Sequence, residues 1–331
     1  DATSQTLAEW APRAGRGEAF DVAAEMSRLT LRVVGQALFR MDLTGEAATF
    51  GQALLVALEE VDHRVMSFPT IPLLVPTPRN RRLRRALAVL DRVVYQIIDT
   101  RRRAAADDGD FLSMMLHARD EDTGETMDDR QLRDEVMTFL LAGHETTAVA
   151  LSWTWYLLAT HPAVEAKLAA EVASVLGGRP PGVEDLPALP YTRMVIEEAM
   201  RLYPPLWGFG RQTIGPDQIG GYDIPANSIV SLAPFITHRH PAVWDDPERF
   251  DPERFAPERA AGRPRFAYFP FSGGPRLCIG NDFALMEAQL VVAMTMQRYR
   301  LRLVPGRPVE PEVRLTLRPR GGLPMTLEAA A

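Results

Sequence analysis

Hydrophobic residues with helical spacing run through the first 200 residues of this chain, and this pattern constrains the fold more than any other feature. Residues 20–40 place five apolar side chains near one face of a predicted helix: Val22, Met26, Leu29, Val33 and Leu38. Similar spacing, bounded by glycine and proline signals, predicts further helices over about 46–62, 79–104, 128–160, 163–176 and 191–202. The chain is therefore expected to be mainly α-helical.

The pattern of hydrophobic residues changes after residue 202. Residues 219–236 alternate like strands, and residues 241–275 are rich in proline, arginine and phenylalanine without any period. One more helix is predicted over about 280–298, and the tail resembles short strands. Since no low-complexity linker interrupts the chain, we expect one mainly α domain with small β-sheets over residues 1–331.

Composition excludes several classes of protein. The net charge of −6 gives no indication of nucleic-acid binding. One cysteine excludes an intrachain disulfide and fits a reducing compartment, so a cytoplasmic location is expected. The longest apolar runs are much shorter than the roughly 20 residues that span a bilayer. Arginine replaces lysine almost everywhere, which is typical of GC-rich bacterial coding.

The single cysteine, Cys278, lies in a glycine-rich stretch, FSGGPRLCIG. Glycines allow left-handed backbone, and a helix that starts just after the thiol favours an anion there. A lone cysteine cannot assemble a structural zinc site or an iron–sulfur cluster. Three interpretations remain open from these residues alone: an inert buried thiol, a catalytic nucleophile with a histidine base, and an axial thiolate ligand to haem.

The stretch resembles the haem-binding signature of the cytochrome P-450 family, F-x-x-G-x-R-x-C-x-G. Phe271, Gly274, Arg276, Cys278 and Gly280 match its fixed positions. The resemblance implies the cytochrome P-450 fold and haem b as cofactor. It also implies that the cysteine thiolate binds the iron, that the phenylalanine packs beside the sulfur, and that the arginine pairs with a haem propionate.

A second match is the E-x-x-R helix of the family, here Glu198 and Arg201 within VIEEAMRLYPP. Residues three apart on a helix share a face and can pair. In the family this pair is joined by an arginine of a later P-x-R-F segment. Two arginines of PERFDPERF could fill that position, Arg249 and Arg254, and the motif favours Arg254 because Phe255 follows it. The resemblance implies a structural ion-pair triad that stabilises the segment around the cysteine turn.

A third match is AGHETT, in the middle of the long predicted helix. Glycine and adjacent threonines are unfavourable inside a helix, so their presence requires a reason, either close packing or a cofactor. The motif resembles the oxygen-activation sequence of the family. Ala142 and Gly143 would then leave room for haem and O2, and Glu145 and Thr146 would relay protons to bound O2. His144 occupies the variable position of the motif and is interpreted as structural.

Weaker matches extend the candidate site. Arg211 corresponds to a family arginine that reaches a haem propionate, although a solvated arginine is nearly as plausible at this position. His238 is a weaker candidate for the haem edge. Five residues are candidates for substrate contact by position only, and each could equally belong to the core: Thr147, Leu206, Trp207, Phe209 and Leu323.

The resemblance implies a monooxygenase that inserts one atom of O2 into a small apolar organic substrate. Because the chain has no nucleotide-binding glycine motif, electrons would come from a separate ferredoxin or flavodoxin with its reductase. Two alternatives stay open: a peroxide-dependent or rearranging haem-thiolate enzyme, and a non-catalytic remnant. The family's N-terminal helices and first sheet strands have no counterpart in this sequence, so we expect the 331-residue chain alone to bind haem poorly.

Overall fold

The computed structural model describes residues 1–40, 47–67, 70–104 and 109–330, and the helices that were predicted begin and end close to their expected positions. Residue 46, the predicted start of the second helix, lies outside the described residues. The described chain divides into two compact units. Unit 1 contains residues 1–9 and 24–148, and unit 2 contains residues 10–23 and 149–331. The single domain expected over residues 1–331 stays a prediction.

Unit 1 consists of helices packed by their apolar faces. Its elements are α1 (Ala2–Trp10), α2 (Val22–Phe39), α3 (Ala47–Met66), α4 (Pro78–Ala104), α5 (Phe111–His117) and the first part of α6 (Asp129–Thr160). Asp110 caps α5, because its carboxylate accepts a hydrogen bond from the Ser113 amide at 2.9 Å. The short helix α1 was not predicted.

The buried face of α2 differs in one respect from the expected face. Val22, Met26 and Leu29 are buried as predicted, but Val34 replaces Val33 and Phe39 replaces Leu38 on the buried side. Positions 26, 30 and 34 are four residues apart and therefore share one face of a helix. This face packs against α6 within unit 1, which matters for the candidate site.

Unit 2 combines five further helices with small antiparallel sheets. The helices are α7 (Pro162–Leu176), α8 (Pro190–Leu202), α9 (Pro234–Thr237), α10 (Pro257–Ala260) and α11 (Asn281–Arg298). Proline occupies the first helical position of α7 and α8, where its missing amide proton is not needed. Gly177 ends α7 with a φ of 55°, the left-handed conformation that glycine favours.

The strands pair only antiparallel in the described part of the chain. One sheet has the order β1 (Phe20–Asp21), β9 (Pro324–Ala329), β6 (Tyr299–Leu303). The others are two-stranded pairs: β2 (Phe209–Gln212) with β5 (Ile229–Leu232), β3 (Asp217–Ile219) with β4 (Tyr222–Ile224), and β7 (Pro311–Val313) with β8 (Leu317–Pro319). The mainly α architecture with small sheets is confirmed.

Aromatic side chains form part of the core of unit 2. Trp153 on α6 is fully buried and stacks on Tyr203, with ring centroids 3.9 Å apart. Its indole nitrogen donates to the Leu317 carbonyl at 2.7 Å, so its one polar atom is satisfied. These contacts fix the end of α8, from which the chain continues toward the cysteine-bearing region.

No helix among the described residues is both long and apolar enough to cross a membrane.

Candidate functional site

The Cys278 turn is closed by its own backbone. The amide of Cys278 donates to the Phe271 carbonyl at 3.0 Å, and the amide of Leu277 donates to the Gly274 carbonyl at 3.1 Å. Ser272 and Gly274 both have left-handed backbone, with φ of 65° and 64°. Left-handed φ is natural for glycine but strained for serine, so the surrounding contacts must hold Ser272 in place.

The glycines of the turn serve different purposes. A Cβ atom on Gly273 would lie only 2.8 Å from the Phe266 ring, so this position tolerates no side chain without movement. Gly280 is the N-cap of α11, and its carbonyl accepts the first helical hydrogen bond, from Ala284 at 2.9 Å. The thiol of Cys278 is exposed and lies just ahead of the N-terminus of α11, whose dipole favours an anion.

The structure brings Arg211 to this turn. Its guanidinium donates to the Ser272 hydroxyl at 3.1 Å and lies over the Phe209 ring at 4.7 Å. Arg276, within the turn, is exposed to solvent. The turn therefore carries one arginine and binds a second, which suits a cofactor that bears carboxylate groups.

Glu198, Arg201 and Arg254 lie together in the interior of unit 2. Arg201 forms a two-pronged pair with Glu198, with N–O distances of 2.7 and 2.9 Å, and both side chains are fully buried. The Arg254 guanidinium lies 3.4 Å from the same carboxylate. Burial raises the pKa of Glu198, and the hydrogen bonds from Arg201 oppose that rise.

Arg201 also fixes the irregular segment that leads toward the cysteine turn. Its remaining donors bind the backbone carbonyls of His238 and Pro247, each at 2.8 Å, and that of Arg249 at 3.1 Å. The side chain of Arg249 is exposed, whereas that of Arg254 is buried and donates to the Asp246 carbonyl at 2.7 Å. Of the two candidate arginines, the structure thus places Arg254 beside Glu198.

The AGHETT segment lies in unit 1, on the part of α6 before Val149. The Thr146 hydroxyl donates to the Ala142 carbonyl four residues back, at 2.6 Å, and Glu145 is half-buried. A Cβ atom on Gly143 would come within 3.1 Å of the Val34 side chain, so close helix packing contributes to the choice of glycine here. A role of Gly143 in leaving room for haem or O2 stays a prediction.

Two buried histidines are neutral at ordinary pH. Burial lowers the pKa of His144 to about 4, and burial together with the nearby Arg201 charge lowers the pKa of His238 to about 3. The Nε2 atom of His238 accepts a hydrogen bond from the Phe269 amide at 2.9 Å. His238 therefore supports the chain just before the cysteine turn, and its proposed contact with the haem edge stays a prediction.

These histidines predict a loss of stability in acid. Each has a pKa in the folded state below its unfolded value near 6.5, so its contribution is complete above pH 6.5 and is lost as pH falls toward the folded pKa. Each should cost about 1.4 kcal/mol of unfolding free energy per pH unit in that window. Urea unfolding at several pH values between 7.5 and 4.5 measures this loss as the difference in slope between variants, because the raised pKa of Glu198 contributes in the opposite direction. The matched variant His144→Gln should have a shallower slope, and an unchanged slope would contradict the prediction.

The candidate substrate residues do not share one environment. Leu206, Trp207 and Phe209 follow α8 and are half-buried, and the Trp207 indole donates to the Arg314 carbonyl at 2.7 Å. Leu323 is fully buried, and its amide donates to the Asp21 carboxylate at 2.8 Å. Thr147 is buried on α6 in unit 1. Their roles in binding substrate stay predictions.

Some residues with unusual environments were not found from the sequence. Glu287 on α11 is 4% exposed, and both of its carboxylate oxygens lack a hydrogen-bond partner among the described residues. Burial raises the pKa of Glu287 well above its ordinary value. The sequence did contain an indication that Glu287 is buried, because this acid falls within the apolar face that Leu285, Ala288 and Val291 form. Ser272 gave no such signal, since nothing in the sequence indicates its left-handed backbone.

The donor set fits a haem bound through one thiolate. Among the described residues, no three histidine, cysteine or acidic side chains cluster closely enough to hold a metal ion. Metal ligation through Cys278 therefore requires a cofactor that itself supplies the other ligands. Haem meets this requirement, and the exposed thiol, the rigid turn and the two arginines around it are compatible with it.

Comparison with known proteins identifies the family. The model of the family "Cytochrome P-450" matches residues 1–324. Cyclooctatin synthase from Streptomyces melanosporofaciens is 44% identical over 301 residues, which cover 90% of this chain and 65% of the relative. Cyclooctat-9-en-7-ol 5-monooxygenase from the same organism is 41% identical, covering 92% and 66%. Pentalenene oxygenase from Streptomyces avermitilis is 35% identical, covering 89% and 66%.

A search of solved structures also finds cytochrome P-450 proteins. The crystal structure of the cytochrome P450DA heme domain has a TM-score of 0.90 and 31% sequence identity, and the match covers all of this chain and 72% of that chain. This chain spans slightly less than two thirds of the curated relatives named above. The sequence motifs, the fold and these relatives lead to one conclusion: the chain belongs to the cytochrome P-450 family.

Proposed function

We propose that this protein is a haem-thiolate monooxygenase that inserts one atom of O2 into an apolar organic substrate. The observation that carries the proposal is the exposed Cys278 thiol, held by a closed turn immediately before the N-terminus of α11. Membership of the cytochrome P-450 family supports it, as do relatives named as a monooxygenase and an oxygenase. When bound, haem would supply the O2 chemistry, with the thiolate donating electron density that favours O–O cleavage.

Each residue of the turn has a part in binding haem under this proposal. Cys278 is the iron ligand, and Phe271, Gly274 and Gly280 shape the turn around the sulfur. Arg276 and Arg211 pair with the haem propionates, since guanidinium groups bind carboxylates through paired hydrogen bonds. The hydrogen bond from Arg211 to Ser272 supports this role, because it already directs the guanidinium to the turn.

Glu145 and Thr146 form the proposed proton-relay pair. The hydroxyl proton of Thr146 is donated to the Ala142 carbonyl, so its oxygen lone pairs are free to accept a hydrogen bond. A carboxylate beside it can then pass a proton from solvent to that hydroxyl. The presence of both the Glu145 carboxylate and the Thr146 hydroxyl favours an enzyme that activates O2 over a peroxide-dependent enzyme, which has less need for a proton relay.

The proposed substrate is an unsaturated hydrocarbon or its alcohol, of the terpenoid kind. The names of two relatives support this class, because they specify an alkenol and an alkene as the compounds oxidised. Trp207 and Phe209 would contribute apolar contact area. Electrons would come from a ferredoxin or flavodoxin with its reductase, docked on the side of Cys278. A cytoplasmic location belongs to the same proposal, since a reducing compartment keeps the single thiol free.

The test is a reduced carbon monoxide difference spectrum of the 331-residue chain after haem is added. A Soret band at the position of thiolate-ligated haem is the expected result if the proposal holds, with low intensity because the 331-residue chain is expected to bind haem poorly. A band at the position typical of an imidazole ligand would contradict it. A folded chain that takes up no haem would favour the non-catalytic remnant. Substrate candidates are then ranked by the low-spin to high-spin shift that they cause.

A further inference from the structure

The face of α2 toward α6 contacts the AGHETT segment through polar atoms. Ser27 Oγ lies 2.8 Å from the Nε2 atom of His144, and the Thr30 hydroxyl lies 3.0 Å from the His144 carbonyl oxygen. Val34, one turn further along α2, lies against Gly143. All of these residues belong to unit 1. Helix α2 thus contacts both the side chain and the backbone of His144, in the middle of the motif.

The Thr30 contacts with Met26 and His144 are buried, and the Ser27 contact is partly buried. Thr30 is fully buried, and His144 is 2% exposed. In an interior, a hydrogen bond that is lost leaves a polar group without a partner, which costs more than the bond contributes at the surface. The Thr30 proton is shared with the Met26 carbonyl, also at 3.0 Å, so the bond across the helices adds to an ordinary bond within α2.

His144 itself is suited to anchoring and not to carrying protons. It is a neutral imidazole, one nitrogen of which faces Ser27. Its other nitrogen, Nδ1, is buried and has no hydrogen-bond partner among the described residues, so none of their side chains continues a proton path from it. Glu145 and Thr146, the two proposed relay residues, follow it directly on the same helical turn.

We propose that Ser27 and Thr30 of α2 act through His144 as positioning residues for the proposed proton-relay pair. This inference rests on the proposed function for its catalytic consequence. Its structural part, that α2 fixes the backbone and orientation of residues 142–147, stands without haem. A helix interrupted by glycine and two threonines has low intrinsic preference for helix, so external contacts determine how firmly this turn is held.

The first test measures amide hydrogen exchange of residues 142–147 in the 331-residue chain, without haem. Ser27→Ala and Thr30→Val each remove one hydrogen bond between α2 and His144, so exchange in this segment should rise about fivefold. Thr138→Val is the matched control, because the exposed Thr138 hydroxyl donates to the Asp134 carbonyl, a bond within α6 itself. Equal exchange in Thr30→Val, Thr138→Val and the unchanged chain would overturn the inference.

A pair of substitutions at His144 separates anchoring from mere packing. Glutamine places its terminal amide near the position of Nε2 and can keep the bond to Ser27, whereas asparagine reproduces only the Nδ1 position. His144→Gln should therefore retain slow exchange and His144→Asn should lose it. The reverse order, or equal loss in both, would contradict anchoring through Ser27.

The catalytic consequence is measured on haem-loaded protein with any substrate that causes a spin shift. Thr30→Val and His144→Asn should lower kcat several-fold and release more hydrogen peroxide per electron consumed, with KM unchanged. Thr30→Ser, which keeps the hydroxyl, should restore both. If haem-loaded protein shows no monooxygenase activity, the proposed function fails while the exchange result still decides the positioning role. Activity that is unchanged while exchange rises would contradict the catalytic part.

Discussion

Replacing Arg201 with alanine is expected to lower the unfolding free energy by about 3–5 kcal/mol, the largest stability effect that the described contacts predict. The substitution leaves the Glu198 carboxylate buried without its two-pronged partner. It also removes the donors to three backbone carbonyls, which lie at His238, Pro247 and Arg249. Equilibrium urea unfolding of the variant and the unchanged chain measures the difference.

Two further variants make this experiment specific. Arg249→Ala removes an exposed guanidinium from the same segment and should change the unfolding free energy by less than about 0.5 kcal/mol. Arg201→Lys keeps a positive charge but cannot reproduce the fork geometry, so it should recover only a small part of the loss. If Arg201→Ala cost less than about 1 kcal/mol, the cluster would not be stabilising the segment as argued.

Replacing Cys278 with serine is expected to abolish the thiolate signature in the reduced carbon monoxide spectrum and to reduce monooxygenase activity below detection. A serine hydroxyl stays protonated and is a poor iron ligand, so the group that supplies electron density is lost. The fold should survive, because the Cys278 side chain is exposed and the turn is closed by backbone atoms. Unfolding free energy within about 0.5 kcal/mol of the unchanged chain is the accompanying result.

Ile279→Ala is a suitable control for this experiment. Its side chain is 81% exposed and stands next to the thiol, but it supplies no ligand. Haem uptake with a thiolate-type spectrum should persist in this variant. A thiolate-type spectrum in Cys278→Ser would exclude Cys278 as the ligand, because the spectrum would then not depend on the side chain at this position.

The sequence predicted the helices well because their signals are local. Pro190 marks the start of α8, and Gly177 marks the end of α7. The choice of Arg254 over Arg249 came from the resemblance to a family motif, and the structure shows why the two differ: only one guanidinium is buried beside Glu198. Periodicity alone could not have separated two arginines five residues apart in an irregular segment.

Long-range contacts are what the sequence could not provide. Ser27 and His144 are 117 positions apart, and neither pattern nor motif connects them. The left-handed backbone of Ser272 likewise depends on the turn around it, including the hydrogen bond from Arg211. The shift of the buried face of α2 from Val33 to Val34 has the same origin, since packing partners decide between two adjacent apolar residues.

The exposed position of Cys278 has a practical consequence. As the sole thiol, it gives each chain at most one equivalent in a thiol titration, so reagent uptake counts molecules directly. A sulfur that is bound to iron no longer reacts as a free thiolate. The fraction of Cys278 that fails to react therefore equals the fraction of chains whose thiolate is bound to iron. This measurement needs neither an extinction coefficient for haem nor a substrate.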